Sequence, residues 1–211
     1  MHRLTGATCA ISVDARDANS VVDLSGLTGR WSSLGYYQLH LEAQTGASIL
    51  IPNVTQFEYA FLRIDDTGIV PTAQLNLLTN VDLWVDNASP NLGRVTNIDN
   101  TSVTALNGGI ARLTNVINFD VGGQDVTWKA DGTGSLIDLS TLSRAAISYY
   151  QRLYVQALDG GVVDLGGLQS LSTGSVQILA DGSTSQVDLT SLSSFISDGY
   201  YDSSLKSQNG G

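Results

Sequence analysis

The chain has few basic residues and a single cysteine. Its 211 residues include only two lysines, and acidic residues outnumber basic ones by 20 to 10, so the formal net charge is −10. Because a nucleic acid is a polyanion that needs a basic surface, we expect no nucleic-acid partner. The lone Cys9 excludes an internal disulfide and a thiolate metal cluster.

Long apolar runs are also missing, and glutamate is scarce. No segment has the roughly 20 consecutive apolar residues of a membrane-spanning helix, so we expect no membrane insertion. Aspartate outnumbers glutamate by eighteen to two. Aspartate favours turns and local backbone hydrogen bonds, whereas glutamate favours helices. This bias therefore predicts a fold with many corners.

A short phrase recurs along the whole chain. Its clear copies read Val-Asp-Leu or Ile-Asp-Leu, with a second leucine three residues after the first. Weaker copies fill the intervals between them. The third residues of the eight copies are Leu24, Ile51, Leu75, Val95, Leu113, Leu139, Leu165 and Leu189. Their spacing runs from 18 to 27 residues and averages about 24, which is typical of a fold built by stacking one unit.

Each copy follows a segment in which apolar and polar residues alternate, such as residues 153–157. Period two indicates a strand with one buried face, and the Asp-Gly pair that often follows predicts a corner. We predict an all-β fold: a single-domain, right-handed parallel β-helix of about eight coils. Each coil consists of strand, corner, second strand and variable loop. Tyrosine pairs at 36–37, 149–150 and 200–201 precede first strands and are interpreted as covers for a corner or loop.

A leucine-rich-repeat-like solenoid is the alternative fold, because residues 78–87 are similar to that pattern. Such repeats usually need a convex helix or 3₁₀ turn, for which most copies leave too little room. One repeat domain is expected to span residues 1–211. Residues 205–211 are similar to the first strand and corner of a further coil. They predict an incomplete ninth coil, a fragment of a longer solenoid, and end-to-end self-association through the open end.

The first strand predicts two outward columns of candidate binding residues. One column consists of carboxylates, namely Asp14, Glu42, Asp65 and Asp86. The parallel column contains His40, Arg63 and Trp84. An exposed indole beside carboxylates and an arginine is typical of a sugar-binding surface. The glycan-binding candidates are therefore Arg63, Asp65, Trp84, Asp86, His40 and Glu42. The alternative is a loop that folds over this strand and buries Trp84.

The second strand predicts another outward column, which begins with Asp23, continues with Arg94 and Arg112, and ends in three aspartates. These are Asp138, Asp164 and Asp188. Stacked carboxylates can hold Ca²⁺ through oxygen ligands, so calcium is the one cofactor considered. The nine-residue calcium repeat and the EF-hand loop are absent from the sequence. The alternative is that these carboxylates hydrogen-bond backbone groups at the corners.

The best copies of the repeat, residues 153–168 and 176–192, follow the form apolar-x-Val-x-Ala-x-Asp-Gly-Gly-x-Val-Asp-Leu-x-x-Leu. This form resembles the repeats of very large bacterial surface or secreted proteins, including planctomycete-like repeat proteins. The resemblance implies an extracellular or cell-surface β-solenoid with a structural, adhesive or glycan-binding role. It brings no catalytic residues with it.

The residues themselves offer little for catalysis. Asp65 and Asp66 are a carboxylate pair of the kind used in glycoside hydrolysis, but adjacent strand residues face opposite sides. No Gly-x-Ser-x-Gly turn presents a nucleophile to His40. We expect a non-enzymatic structural or adhesive module, a rigid rod that displays its columns to a glycan or cell-surface partner. The alternative is a polysaccharide-binding or polysaccharide-degrading β-helix domain.

Overall fold

The computed structural model describes residues 10–33 and 39–211, which form twenty strands and no helix. The strands are β1 (Ile11–Ala15), β2 (Val21–Asp23), β3 (Gly29–Ser32), β4 (Leu39–Ala43), β5 (Ser48–Leu50), β6 (Val54–Asp65), β7 (Leu77–Asp86), β8 (Ser102–Leu106), β9 (Ile110–Arg112), β10 (Asn118–Val121), β11 (Val126–Asp131), β12 (Leu136–Asp138), β13 (Arg144–Ile147), β14 (Arg152–Leu158), β15 (Val162–Asp164), β16 (Ser170–Ser172), β17 (Ser175–Asp181), β18 (Gln186–Asp188), β19 (Ser194–Phe195) and β20 (Ser204–Gln208). In this part of the chain, no helix is present that is long and apolar enough to cross a membrane.

The largest sheet runs the length of the molecule. Its strands follow the order β1-β4-β6-β7-β8-β11-β14-β17-β20, and every pair is parallel. Neighbouring strands in this sheet are therefore separated by one full coil of chain. The fold is a parallel β-solenoid of about eight turns, as the repeat predicts. The described residues contain no helix or 3₁₀ turn, so the β-helix rather than the leucine-rich-repeat alternative is observed.

Each coil has three faces, one more than the repeat phrase predicts. The second face consists of the short strands β2, β5, β9, β12, β15 and β18. The third face consists of β3, the first parts of β6 and β7, and β10, β13, β16 and β19. The predicted variable loop is wrong in these coils. At most two side chains of each third-face strand, such as Phe119 or Leu171, are buried, so the sequence carries little alternation there.

The repeated phrase forms the corner between the second and third faces. The backbone N–H of its sixth residue donates to the carbonyl of its third, as from Leu168 to Leu165 at 2.9 Å. In coils 3 and 4, which start at the first-face parts of β6 and β7, the equivalent turns begin at Thr72 and Leu92. The predicted copies in these two coils are therefore displaced by three residues. A threonine in place of the expected apolar residue hides the phrase in coil 3.

The inward side chains of the three faces form one continuous core. Small residues stack near the end of the first face, where the corner tightens, and include Ala15, Ala43, Ala105, Ala130, Ala157 and Ala180. The fully buried Trp128 packs on Phe119 with ring centroids 4.5 Å apart. The indole N–H of Trp128 donates to the carbonyl of Thr101 at 3.2 Å. This pair fills the interior of the fifth and sixth coils, where close packing of large side chains stabilises the fold.

From the fifth coil onward, the corner between the first and second faces alternates between two forms. The short form ends in a glycine that closes the turn, as Gly161 N donates to Leu158 O at 2.9 Å. A Cβ at Gly161 would lie 2.2 Å from the Ala130 carbonyl oxygen of the preceding coil. Equivalent glycines are Gly109 and Gly211. A larger residue cannot fit there, because the coils approach each other backbone to backbone.

The long form of this corner contains a buried serine that joins two coils. Ser185 Oγ donates to the carbonyl of Asp181 at 2.7 Å and accepts from Gly160 N at 2.9 Å. Ser135 makes the same two hydrogen bonds, at 2.7 Å and 3.0 Å, two coils earlier. Each long corner therefore satisfies a backbone donor in the short corner of the coil before it.

Candidate functional site

The predicted columns of the first face are wrong by two residues in coils 3 and 4. The structure pairs Glu42 with Arg63, and Arg63 with Trp84. Asp65 pairs with Asp86 on the next outward position. The predicted column of four carboxylates is therefore split into two separate pairs. The cause is that β6 and β7 continue from the third face into the first without a corner loop, and that a slip of two residues keeps the same side chains inward.

The observed register brings five of the six glycan-binding candidates together. They are joined by Phe61, which stands opposite His40 and which the predicted alignment does not place on this surface. We define the aromatic–ionic surface as His40, Glu42, Phe61, Arg63, Trp84 and Asp86. These residues belong to β4, β6 and β7, so they occupy three consecutive rungs of one sheet.

Three aromatic rings cross this surface from rung to rung. The rings of His40 and Phe61 are stacked, with centroids 4.7 Å apart and planes 9° apart. Phe61 then meets Trp84 at 5.9 Å with a tilt of 47°. Trp84 keeps 36% of its surface exposed, so no loop among the described residues buries it. The indole is held by its neighbours and still presents an apolar surface to solvent.

A network of partly buried ion pairs lies beside the rings. Arg63 Nη1 is 3.3 Å from Glu42 Oε1, and Arg63 Nη2 is 2.9 Å from Asp86 Oδ2. Glu42 is only 8% exposed and also accepts a hydrogen bond from Gln44 Nε2 at 2.7 Å. The guanidinium thus bridges the carboxylates of two strands that lie on either side of its own. The arrangement fixes Arg63 in place, because both of its partners are shielded from solvent.

His40 adds a mixed ligand set at one edge of the surface. Its Nε2 lies 3.9 Å from Asp14 Oδ1 and 3.6 Å from Glu42 Oε2. Among the described residues, this is the group of three titratable side chains whose ligand atoms lie within 4.8 Å of one another. Glu42 already has Arg63 and Gln44 as partners. Glu42 is therefore bound by residues outside the group of three as well as by its neighbours within it.

The sixth candidate, Asp65, belongs to a corner. Its Oδ1 accepts hydrogen bonds from Thr67 N at 2.8 Å, from Thr67 Oγ1 at 2.7 Å and from Gly68 N at 3.0 Å. Three donors on one oxygen close the turn between the first and second faces. Asp65 therefore has a structural role in the turn that the predicted column does not reveal.

The three aspartates of the second face stack as the sequence predicts. Asp138 pairs with Asp164, and Asp164 pairs with Asp188. Each Oδ1 accepts a backbone N–H two residues further along, at 3.2 Å, 2.9 Å and 2.9 Å in chain order. Asp138 Oδ2 also lies 3.3 Å from Arg112 Nη1. The carboxylates thus make the backbone contacts that the alternative interpretation predicts, and one oxygen of each is used by the turn.

The same turn recurs earlier in this column, in coils 1 and 4. The hydroxyl and the backbone N–H of Ser25 hydrogen-bond Asp23 and hold the pKa of its carboxyl below its ordinary value. In coil 4 the acceptor is Asn91, whose Oδ1 takes the N–H of Gly93 at 3.2 Å. Asn91, and not the predicted Arg94, therefore occupies the column position. This correction follows from the displaced phrase, since an asparagine makes the same turn as an aspartate.

Comparison of the chain with family models, with curated proteins and with solved structures gave no match. The functional interpretation therefore depends on the fold and on the surfaces themselves. The carboxylates of the aromatic–ionic surface are paired with Arg63, and Asp65 is committed to its turn. This chemistry suits binding better than general acid–base catalysis, which needs a carboxyl group free to exchange a proton with a substrate.

Proposed function

We propose that this chain is a non-enzymatic structural and adhesive module of an extracellular or cell-surface protein. It acts as a stiff rod that holds outward side chains at fixed spacing. The observation that carries the proposal is the single parallel sheet that gains one strand from every coil, from β1 to β20. With rungs about 4.8 Å apart, these strands span about 40 Å. The resemblance of the repeat to those of bacterial surface and secreted proteins supports the compartment.

Stiffness is the property to test. Spin labels at Arg16 and Ser183, introduced as cysteines in a Cys9→Ser background, mark exposed corners of the first and eighth coils. Seven rungs separate them, so electron–electron double resonance is expected to give a narrow distance distribution near about 35 Å. Duplication of coils 7 and 8, residues 152–203, is expected to lengthen the distance by about 10 Å without broadening it. A broad distribution, or a length that does not follow the number of coils, would contradict the rod.

The edge strand β20 offers the rod a route to self-association. Its outer edge has no partner strand in the described chain, and Leu205 is exposed on it. Unpaired edges of this kind pair readily with other strands. End-to-end association is expected to appear as a molar mass that rises with concentration in light scattering. A strict monomer up to the highest soluble concentration would remove this part of the proposal.

Glycan binding at the aromatic–ionic surface is a second candidate function. It is favoured by the exposed indole of Trp84, which the stacked rings support beside the fixed guanidinium of Arg63. The indole can cover an apolar sugar face while charged groups meet hydroxyls. A panel of soluble polysaccharides in affinity electrophoresis tests it: Trp84→Ala is expected to weaken binding, and Trp84→Phe to retain part of it. Arg112→Ala, which lies on the second face, is the matched control.

A further inference from the structure

Four tyrosines lie together at the corner between the third and first faces. We call Tyr149, Tyr150, Tyr200 and Tyr201 the tyrosine platform. Their exposed fractions are 51%, 66%, 64% and 36% in that order. These tyrosines lie at a corner, as the sequence predicts, and three of them are at least half in solvent. Tyr36 and Tyr37 of the same prediction lie outside the described residues.

The fold builds the platform by leaving one corner short. In coil 7 the chain passes directly from β16 to β17 through Thr173 and Gly174, whereas coils 6 and 8 have longer loops here. Gly199 N donates to Gly174 O at 3.2 Å, and a Cβ at Gly199 would lie 2.3 Å from the Gly174 carbonyl carbon. The loops of coils 6 and 8 therefore meet above coil 7. Glycine is required at Gly199 because the two backbones touch.

A backbone hydrogen bond then joins the two loops at the tyrosines. Tyr200 N donates to the carbonyl of Tyr149 at 2.8 Å. The ring planes of Tyr149 and Tyr150 meet at 89° with centroids 4.9 Å apart, and those of Tyr200 and Tyr201 meet at 89° and 5.0 Å. Tyr150 contacts Tyr200 across the loops at 5.8 Å. The platform is thus one packed unit of aromatic rings drawn from two coils.

Contact between the rings excludes one class of ligand. An aromatic cage holds a quaternary ammonium between ring faces that stand apart, each within about 6 Å of the cation. Here the centroids of the paired rings are 4.9 Å to 5.8 Å from each other, which leaves no space between them. The cluster therefore offers an outer surface to its ligand and not an enclosed pocket.

The cation nearest to the rings is already committed. Arg152 Cζ lies 3.4 Å from the centroid of the Tyr201 ring, and its Nη1 donates to Tyr154 Oη at 2.8 Å. This hydrogen bond, with the nearby Asp125 as a smaller cause, raises the pKa of Arg152 above its ordinary value. Arg152 therefore supports Tyr201 from one side and is not available as the anchor of an anionic ligand.

We propose that the tyrosine platform binds a neutral polysaccharide, as a contact site separate from the aromatic–ionic surface. The proposal rests on the adhesive part of the proposed function. Exposed aromatic clusters on a soluble protein mark interaction sites. Tyrosine rings can cover the apolar faces of sugars while their hydroxyls bond the rim. The net charge of −10 disfavours a polyanionic glycan, which leaves a neutral polysaccharide as the glycan that fits best.

The test uses the whole chain and four soluble polymers: hydroxyethyl cellulose, galactomannan, arabinoxylan and polygalacturonate. Isothermal titration and affinity electrophoresis compare wild type with Tyr150→Ala/Tyr200→Ala and with Tyr150→Phe/Tyr200→Phe. The alanine pair is expected to lower affinity for a neutral polymer roughly tenfold. The phenylalanine pair is expected to lower it less than about threefold, because phenylalanine keeps the ring that stacks on the sugar and loses only the hydroxyl. Melting curves serve as a folding control, because both rings are mostly exposed.

Three outcomes overturn the platform as a neutral-glycan site. They are wild-type affinity in the alanine pair, no binding of any neutral polymer by the wild type, and binding of polygalacturonate alone. Loss of binding in Trp84→Ala with wild-type behaviour of the alanine pair would move the glycan to the aromatic–ionic surface. The spin-label distances involve no ligand, so failure of the rod is observed separately from failure of the platform.

Discussion

The third face passes into the first by a bent strand after coils 2 and 3 but by a loop after coils 6 and 8. From coil 2 to coil 3, and from coil 3 to coil 4, a single strand makes the passage: β6 has twelve residues and β7 has ten. The bend falls at Tyr59 and Asn80, whose φ angles are +54° and +53°. In coil 6 a loop at residues 148–151 separates β13 from β14. A coil is therefore shortened by deleting the corner loop and bending one strand at a left-handed residue.

The same difference decides where each region carries its exposed aromatic side chains. In coils 2 to 4 they stand on the strands, beside charged side chains that contact one another across rungs, as Arg63 does with Glu42 and Asp86. In coils 6 and 8 the tyrosines stand on the loops. The two proposed contact sites therefore differ in kind: one lies on strands and the other on loops.

The largest effect is expected for the core of the later coils. Trp128→Ala removes a fully buried indole and its contact with Phe119, and is expected to cost about 3–5 kcal/mol in the free energy of unfolding. Trp84→Ala on the aromatic–ionic surface is expected to cost less than about 1 kcal/mol, because its ring is partly exposed. Urea denaturation followed by circular dichroism measures both. Equal losses would mean that the two tryptophans do not differ as core and surface.

The short corners provide the next largest effect. Gly161→Ala places a Cβ against the Ala130 carbonyl and is expected to cost about 2–3 kcal/mol through overpacking. Gly26→Ala, in the first coil, is the matched control because a Cβ at that residue would have no other atom within 4 Å. The control is expected to stay within about 0.5 kcal/mol of wild type. A tolerated alanine at Gly161 would show that coils 6 and 7 can separate locally.

The two halves also differ in their ion pairs. Arg63→Met leaves the mostly buried Glu42 without its guanidinium and is expected to cost about 1–2 kcal/mol. Arg112→Met breaks a pair on the exposed second face and is expected to cost less than about 0.5 kcal/mol. Denaturation midpoints at low and high salt measure the contrast. An equally small loss of stability in Arg63→Met would show that the ion pairs of Arg63 contribute no more than an exposed surface pair.

Acid provides a smaller effect with a defined sign. Side-chain hydrogen bonds from Asn209 and then Gln208 lower the pKa of Asp181 from its ordinary value. A lowered folded-state pKa stabilises the fold above the unfolded-state pKa, and this stability is lost as pH falls through the lower folded value. Asp181→Ala is therefore expected to lower the melting temperature at pH 7, with the gap closing as pH falls below the ordinary carboxyl pKa and through the lower folded-state value. A gap that stays constant with pH would assign the loss to packing instead.

Calcium provides the smallest expected effect. Because Asp138, Asp164 and Asp188 each accept a backbone N–H on one oxygen, we expect the column to be stable without a shared cation. Addition of a chelator to the wild type is expected to change the melting temperature by less than about 1 °C. A clear fall on chelation, reversed by calcium and absent in Asp164→Asn, would establish the metal site.

The sequence predicts the solenoid because each clear copy of the phrase contains the residues that close one corner of a coil. Leu165 and Leu168 close a turn by a backbone hydrogen bond, and the aspartate between strand and turn caps it. These contacts are local, so they appear as a fixed spacing. The second-face column from Asp138 to Asp188 was predictable for the same reason, since every residue in it belongs to a clear copy.

Five of the six members of the aromatic–ionic surface were predictable, but Phe61 and the arrangement were not. The register depends on where β6 and β7 bend, and no corner loop marks the bend at Asn80. The slip of two residues preserves the inward face, so hydrophobic periodicity cannot detect it. The tyrosine platform needs a contact between coils 6 and 8 that skips one coil. An alignment of neighbouring repeats does not reveal such a contact.

The hydrogen bonds that close each phrase join residues no more than three positions apart. Because these contacts are local, folding of a solenoid can nucleate at any coil and grow by one neighbouring coil at a time in either direction. A single coil cannot bury its apolar face alone, so at least about three coils are needed for stability. We therefore expect this chain to begin folding on the ribosome once about three coils have emerged.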